Sequence, residues 1–369
     1  MGDQRPVPFV FMRGGTSRGP YMRRADLPED EETLSSVLIA MMGAGHPLNI
    51  DGLGGGNPVA TKTAMLSASD DDWADIDYFF AQVAVDMPLV DYAPTCGNIL
   101  SGVGPAAVEL GLISPPDGDV LVKIRMVNTN GRAVSRFEVR DGKPVYGGKQ
   151  SIHGVPGHAA PVALQFMDTT GSRTGAMLPT GNIRDIIDGI PVTCIDVAMP
   201  MVIARAEDLG VTGHEGSDEL DGNAALFERF EPIRRKAGQL MGLGDVSDKV
   251  VPKFGIIARP RGDAAAAARY FMPWKTHPTM AVTGSQCLAA CLMLPGSVAD
   301  GIARLPKDAG RGDEPFVLSL EHPQGTIDVT LDCMVTNAGL SLRSAGVMRT
   351  ARLLARGEAM VPGAAWPAR

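Results

Sequence analysis

The hydrophobic and polar positions of this chain follow an order of elements that occurs twice. Each half opens on two strand-like runs joined by a turn and then reaches the dipeptide Asp-Leu, at Asp26-Leu27 in the first half and Asp208-Leu209 in the second. An amphipathic helix with an acidic first turn follows in each case, over residues 29–42 and about residues 221–241. Acidic residues suit the positive end of a helix, so the pattern predicts a duplicated unit of strands and a helix.

The later landmarks of each half agree in order as well. Each half carries a lysine that opens an apolar run, then a strand-like stretch, then a small polar residue and a glycine before an apolar helix. These landmarks are Lys62, residues 77–85, Cys96 and residues 99–113 in the first half, and Lys253, residues 269–274, Thr283 and residues 286–294 in the second. The lysine precedes the helix start by 34 positions in the first half and by 30 in the second.

This repeat predicts an α+β protein of two similar domains, each a curled, mainly antiparallel sheet around one apolar helix. Alternating or β-branched strands at residues 120–127 and 327–335 fit such sheets. We place the domains at residues 1–185 and 186–369, with the linker close to the boundary. We expect a helix over residues 345–356 near the end of the chain. Whether the last segment packs back on the first domain is left open.

Composition removes several functional classes. The chain has 369 residues, 44% of them hydrophobic and 21% charged, and no run of apolar residues approaches the length of a membrane span. A formal charge of -8 argues against a general nucleic-acid binder, which needs a basic face. The first residues lack the pattern of a signal peptide, and Pro6 stands where a myristoylation site requires Ser or Thr. We therefore expect a water-soluble cytoplasmic protein.

No metal or cofactor is expected. The five cysteines form no Cys-x-x-Cys motif, and His153 and His158 lie in a Gly/Pro-rich loop without a carboxylate motif. Residues 51–63 resemble a phosphate loop, but Thr61 replaces the second glycine and no β-branched strand precedes the loop. Cys287 and Cys291 are one helical turn apart, so a thiol-redox protein stays open as a minor alternative.

Cys96 is the leading candidate for chemistry. It precedes the apolar helix in the segment Thr95-Cys96-Gly97-Asn98, where unpaired amides and the helix dipole favour a thiolate. The alternative is a buried core cysteine, which fits the other four better because they lie in apolar strands or helices. Cysteine is a poor choice for a helix start unless its reactivity is needed, so we favour a functional role.

Lys62 and the turn from Arg13 to Gly19 each allow two interpretations from the residues alone. Lys62 could be a solvated loop lysine, but apolar residues 64–66 follow it, and partial desolvation would favour the neutral amine of a general base. The turn could be a bare hairpin, or its glycines, hydroxyls and arginines could hold a carboxylate. Nine residues are candidates for substrate binding: Arg13, Thr16, Ser17, Gly97, Asn98, Lys275, Thr283, Gly284 and Ser285.

Four segments together resemble the PrpF family. They are Met12-Arg-Gly-Gly-Thr-Ser-Arg-Gly, the Asp51-Gly-Leu-Gly-Gly loop ending in Thr-Lys62, Cys96-Gly-Asn-Ile-Leu-Ser-Gly-Val-Gly-Pro105, and Ala281-Val-Thr-Gly284. The resemblance runs from about residue 8 to Pro362. It implies the diaminopimelate-epimerase fold, with two pseudo-symmetric domains and the active site between the central helices, and it implies that Lys62 and Cys96 are the acid/base pair.

The resemblance also implies an activity. The context of Val90-Asp-Tyr and Cys-Gly-Asn-Ile-Leu resembles the branch of the family that acts on 4-oxalomesaconate. Arg18 and Thr61 depart from the lysine and serine that are common in the family at those positions. In true epimerases the second helix also begins with a cysteine; here Thr283 stands there, which favours proton transfer between different carbons over symmetric racemisation.

We therefore expect a cofactor-independent isomerase that makes a 1,3-allylic or keto-enol proton shift in an unsaturated tricarboxylate, in bacterial aromatic-acid catabolism. Aconitate or a methylitaconate-like dicarboxylate is the alternative substrate. A non-catalytic carboxylate-binding module is the alternative of a different class. The expected partner is a small polycarboxylate, with no nucleic acid and no membrane, and a homodimer is left open.

Overall fold

The computed structural model describes residues 3–272, 274–312, 315–336 and 339–367. By their contacts these residues form two units. The first runs to Leu164 and resumes at Met348, and the second is the continuous stretch from Gln165 to Val347. The division predicted from the sequence lay at residue 185, so residues 165–185 fall in the second unit and not in the first, whereas the last segment belongs to the first unit, as the prediction allowed.

The first unit is a sheet with three helices. Its strands are β1 (Gln4–Gly14), β2 (Ser17–Arg23), β3 (Lys62–Ala68), β4 (Ile76–Val83), β5 (Val90–Asp91), β6 (Gly118–Met126), β7 (Gly131–Arg140), β8 (Lys143–Pro144) and most of β9 (Pro161–Met167). Its helices are α1 (Glu31–Met42), α2 (Gly97–Leu100) and α3 (Val103–Glu109). The Asp30 side chain accepts the Thr33 amide to cap α1, and Gly43, at φ 69°, ends it.

The second unit repeats this plan. Its strands are β10 (Asp185–Ile187), β11 (Ile190–Asp196), β12 (Pro200–Arg205), β13 (Lys253–Ala258), β14 (Ala266–Phe271), β15 (Phe316–His322) and β16 (Gly325–Thr336). Its helices are α4 (Ser217–Asp221), α5 (Ala224–Leu240) and α6 (Val282–Met293). None of the helices in the described ranges is both long and apolar enough to cross a membrane.

Strand pairing makes the repeat explicit. In each unit an antiparallel hairpin (β1–β2, β11–β12) leads to a parallel pair (β2–β3, β12–β13), and the third strand of that series pairs antiparallel with the next (β3–β4, β13–β14). A further parallel pair (β4–β6, β14–β15) and an antiparallel pair (β6–β7, β15–β16) follow. The predicted α+β fold with a duplicated order of elements is confirmed.

The apolar helix predicted in each half of the chain is unbroken in the second unit and split in the first. Helix α6 is apolar on all sides and buried from Gly284 to Met293, as expected of a helix enclosed by a sheet. The single helix predicted over residues 99–113 is instead split into α2 and α3. Pro105 contributes to the break, because it has no N–H to donate to the carbonyl of Ser101.

The last predicted helix is wrong. Residues 345–356 lie in a long strand, β17 (Gly339–Pro362), which pairs antiparallel with β16 as far as Val347 and with β1 from Ala351 onward. Leucine, alanine and arginine favour a helix locally, but partner strands satisfy the backbone groups of this segment and override that weak preference.

Candidate active site

The backbone of β2 and β3 fixes the position of Lys62. This lysine is the first residue of β3 and is half-buried. Gly19 of β2 lies against its carbonyl group, and a Cβ atom at Gly19 would overlap the Lys62 carbonyl oxygen. The Nζ atom of Lys62 lies over the face of the Phe80 ring, 5.6 Å from its centre. Lys62 therefore starts from a rigid strand and not from a flexible loop.

Cys96 lies at hydrogen-bonding distance from this lysine. The Nζ atom of Lys62 donates to the Sγ atom of Cys96 at 3.5 Å. Cys96 is the N-cap residue of α2, its side chain makes no capping bond, and it is half-buried. The first helical bond is that of the Leu100 amide to the Cys96 carbonyl, so the amides of residues 97–99 have no acceptor within the helix. The structure thus brings together an amine and a thiol that can exchange a proton.

Two buried tyrosines hold the start of α2 and were not identified from the sequence. The Tyr21 hydroxyl donates to the Ile99 carbonyl at 2.6 Å, and the Tyr78 hydroxyl donates to the Cys96 carbonyl at 3.4 Å. Burial raises the pKa of both phenols well above 10, and the nearby Cys96 raises it further. Both hydroxyls therefore stay protonated and act as donors. Their positions depend on long-range strand pairing, which leaves no local signal in the sequence.

Replacing Tyr21 tests this support. The Tyr21→Phe variant is expected to lose about 1 kcal/mol of unfolding free energy, the net value of one buried hydrogen bond. The Ile99 carbonyl still accepts from the Gly102 amide, so it is not left without a partner. Urea unfolding measures the change, and Tyr92→Phe, which removes a half-buried hydroxyl 3.0 Å from Ser35, is the matched control. A loss no greater than that of the control would argue against the role of Tyr21.

The predicted carboxylate-binding turn is a two-residue hairpin that contacts α2. Gly15 adopts φ 52°, and the Thr16 amide donates to the Asn98 Oδ1 atom at 3.4 Å. The Nη1 atom of Arg13 donates to the carbonyls of Gly15 and Thr350, so this arginine supports the turn itself. Burial, followed by the charge of Arg352, lowers the pKa of Arg13. Thr16 is exposed, whereas Ser17 is buried.

Four of the remaining substrate-binding candidates, Lys275, Thr283, Gly284 and Ser285, lie in the second unit. Ser285 is buried and its hydroxyl donates to the Val282 carbonyl at 2.8 Å, within the first turn of α6. A Cβ atom at Gly284 would overlap the Tyr270 ring, so this glycine allows the helix to pack on β14. Thr283 is half-buried and Lys275 is exposed. Contacts of all nine candidates with substrate stay predictions.

Alternative chemistries find little support in the geometry. Lys62 opens a strand, whereas the lysine of a phosphate loop opens a helix, so the partial motif in residues 51–63 is not such a loop. Cys287 and Cys291 are buried free thiols, and burial raises the pKa of Cys291 to about 12. Within the described ranges, no group of three or more His, Cys, Asp or Glu side chains could hold a metal ion.

Known proteins match this chain along nearly its whole length. A family model described as PrpF protein matches residues 4–362. The chain is 44% identical to a (4E)-oxalomesaconate Delta-isomerase of Novosphingobium sp. strain KA1, covering 96% of this chain and 97% of the relative. It is 42% identical to a 4-oxalomesaconate tautomerase of Pseudomonas putida, covering 99% of both chains. The crystal structure of a methylitaconate-delta-isomerase superposes with a TM-score of 0.89 at 32% identity, covering 100% of this chain and 98% of that one.

These matches agree with the duplicated sheets around central helices, which are those of the diaminopimelate-epimerase fold. The chain belongs to the PrpF family. The resemblance that four short segments indicated is therefore confirmed over the whole chain.

Proposed function

We propose that this protein is an isomerase that moves a proton between carbons of an unsaturated tricarboxylate of the 4-oxalomesaconate type. The observation that carries the proposal is the 3.5 Å contact between the Lys62 amine and the Cys96 thiol. The names of the relatives at 42% and 44% identity supply the substrate class. The reaction needs no cofactor in this proposal, and its place is bacterial aromatic-acid catabolism.

The proposed chemistry uses the two side chains in sequence. Lys62 acts as the base and takes a proton from a carbon that is acidified by a neighbouring carbonyl or carboxylate, and the electrons of the broken C–H bond form a dienolate. The Cys96 thiol then protonates the far carbon, and the double bond moves by one position. This leaves a Lys62 ammonium beside a Cys96 thiolate. Because the two atoms are in hydrogen-bonding contact, a proton can pass from nitrogen to sulfur and restore the starting state.

A methylitaconate-type dicarboxylate is the second candidate substrate. The structural match to a methylitaconate-delta-isomerase at a TM-score of 0.89 favours it. The higher identity to the two oxalomesaconate enzymes places the tricarboxylate first. A cytoplasmic location and a homodimer stay predictions.

A substrate panel in deuterated water tests this function. We expect 4-oxalomesaconate to be converted faster than 3-methylitaconate or aconitate, with deuterium at the carbon that receives the proton. Ultraviolet absorbance follows the rate, and NMR locates the deuterium. A migrated double bond with deuterium at the distal carbon indicates a 1,3-allylic shift, whereas deuterium only next to the ketone indicates keto-enol tautomerisation. Saturable binding of these acids with no turnover would contradict the proposed isomerase activity and would indicate a non-catalytic carboxylate-binding module.

A further inference from the structure

A cavity of about 370 Å³ lies where two parallel strands of the second unit end. Arg205, the last residue of β12, pairs with Ile257, the last residue but one of β13. Both residues line the cavity, as does Arg259, which follows β13. Ligands commonly bind outside the carboxyl ends of parallel strands, because the loops that leave the strands there can enclose them.

The loop over residues 211–215 forms one wall of this cavity. The Glu215 carboxylate accepts the amides of Thr212 and Gly213 at 2.6 and 2.9 Å, and the Thr212 hydroxyl at 2.8 Å. Gly213 adopts φ 80°, and a Cβ atom there would overlap the Cβ atom of Ala258. The loop therefore packs directly on the end of β13, and its shape is fixed by its own hydrogen bonds.

Arg205 fixes a second wall. Its Nε atom donates to the Val298 carbonyl at 2.8 Å, and its Nη2 atom donates to the Asp300 carbonyl. Its Nη1 atom lies 3.5 Å from a carboxylate oxygen of Glu207. Each side-chain nitrogen of Arg205 thus has a partner within the protein, so this arginine shapes the cavity and is not its free cation.

Two other nitrogen-bearing side chains of the lining are free. The Arg259 side chain is exposed and makes no hydrogen bond or ion pair with the described residues. His214 is half-buried, and its ring makes no hydrogen bond with them either. Burial lowers the pKa of His214, and the charges of Arg261 and Arg269 lower it further. The ring is therefore neutral at pH 7 and can donate one hydrogen bond.

The rest of the lining combines apolar side chains with two carboxylates. Val211, Ile257 and Ile302 supply the apolar surface. Glu207 and Asp300 also line the cavity, and both are exposed. Like charges repel one another, so these carboxylates disfavour a ligand that carries several negative charges.

We propose that this cavity binds a small monocarboxylate with an apolar body. The guanidinium fork of Arg259 matches the two oxygens of a carboxylate, and the His214 ring donates a hydrogen bond to the same group. The apolar body covers the valine and isoleucine side chains of the lining. The single negative charge is met by Arg259, whereas the two carboxylates of the lining exclude a tricarboxylate.

This site goes beyond the proposed function and does not depend on it. Lys62 and Cys96 belong to the first unit. The start of α6 lies toward the other end of β13, because Gly284 packs on Tyr270, which pairs with Gly255 in the first half of that strand. The cavity is therefore separate from both groups of residues to which the isomerase activity is assigned.

NMR of the histidine side chains in the full chain tests this site. Protein with ¹⁵N-labelled histidine is titrated at pH 7.5 with benzoate, a monocarboxylate with an apolar ring. We expect saturable shifts of the His214 ring signals and none for His277, whose ring lies beside Tyr270. Benzamide, which has the same shape without the charge, and tricarballylate, a saturated tricarboxylate, should each bind at least about tenfold more weakly.

Three variants decide the assignment. Arg259→Met should weaken benzoate binding about tenfold, the effect of one hydrogen bond to a charged group. Arg311→Met removes an exposed arginine of the same unit and is the matched control, with unchanged binding. A protein with both Glu207→Gln and Asp300→Asn should bind tricarballylate about tenfold more tightly than the wild type does, because two repelling charges are gone.

The outcomes separate the site from its selectivity and from the proposed function. The absence of saturable His214 shifts in benzoate, or equal benzoate affinity of the two arginine variants, would overturn the site. Tricarballylate binding that is as tight as that of benzoate, or unchanged in the double variant, would overturn the preference for a single charge. Benzoate binding in a protein without isomerase activity would support this site while rejecting the proposed function.

Discussion

The Lys62→Met variant is expected to lose turnover by about 10²- to 10⁴-fold, the contribution of a well-placed proton-transfer group. Methionine keeps an unbranched side chain in β3 but removes the amine, so no base remains 3.5 Å from Cys96. Binding of substrate should change little, because the proposed loss is confined to the chemical step. Steady-state kinetics and calorimetric titration measure the two effects separately.

Lys123→Met is the matched control for this prediction. Lys123 is an exposed lysine of β6 in the same unit, and its ammonium group lies 5.7 Å from the centre of the Trp73 ring. The control should keep wild-type turnover. If Lys62→Met turns over at a rate comparable to that of the control, Lys62 is not the base and the proposed mechanism fails.

The Cys96→Ser variant is expected to show a loss of similar size with a different isotopic signature. A serine hydroxyl is a much weaker acid than a thiol, so it should not deliver a proton to the far carbon within the lifetime of the dienolate. Lys62 remains able to remove the first proton. In deuterated water Cys96→Ser should therefore exchange the acidic substrate hydrogen without forming product, whereas Lys62→Met should do neither.

Cys194→Ala provides the control for thiol loss, because Cys194 is a buried free cysteine of the other unit and burial raises its pKa. NMR of recovered substrate measures the exchange, and the product signal measures turnover. Product formation by Cys96→Ser within about threefold of the control rate would contradict the assignment of Cys96 as proton donor, since general-acid catalysis is worth far more than that.

Sequence analysis correctly predicted the parts of the fold that leave a local or repeated residue pattern along the chain. The duplicated order of elements, the hairpin before Gly19 and the helix capped by Asp30 all leave periodic apolar positions or turn residues. Strand β17 left a misleading signal, because its helix-favouring residues are held extended by partners far away in sequence. Tertiary pairing overrides local preference in such segments.

Some residues of the candidate site could likewise be predicted from the sequence, and others could not. Lys62 and Cys96 stood out by residue type and position, and the structure places them in contact. The Tyr21 and Tyr78 hydroxyls could not be inferred, because strand register alone directs them at the start of α2. Ser285 was predicted to bind substrate because it lies at the start of a helix. That position did not show that its hydroxyl donates to the Val282 carbonyl.

The pairing of β1 with the far end of β17 has a consequence for synthesis on the ribosome. Gln4 lies opposite Pro362, and the ladder continues to Gly14 opposite Ala351. Strand β1 must therefore wait for the synthesis of β17 before this partner exists. The second unit is one continuous stretch and can complete its own sheet earlier. In this protein the C-terminal half of the repeat can mature first during translation, although domains more often fold in the order of their synthesis.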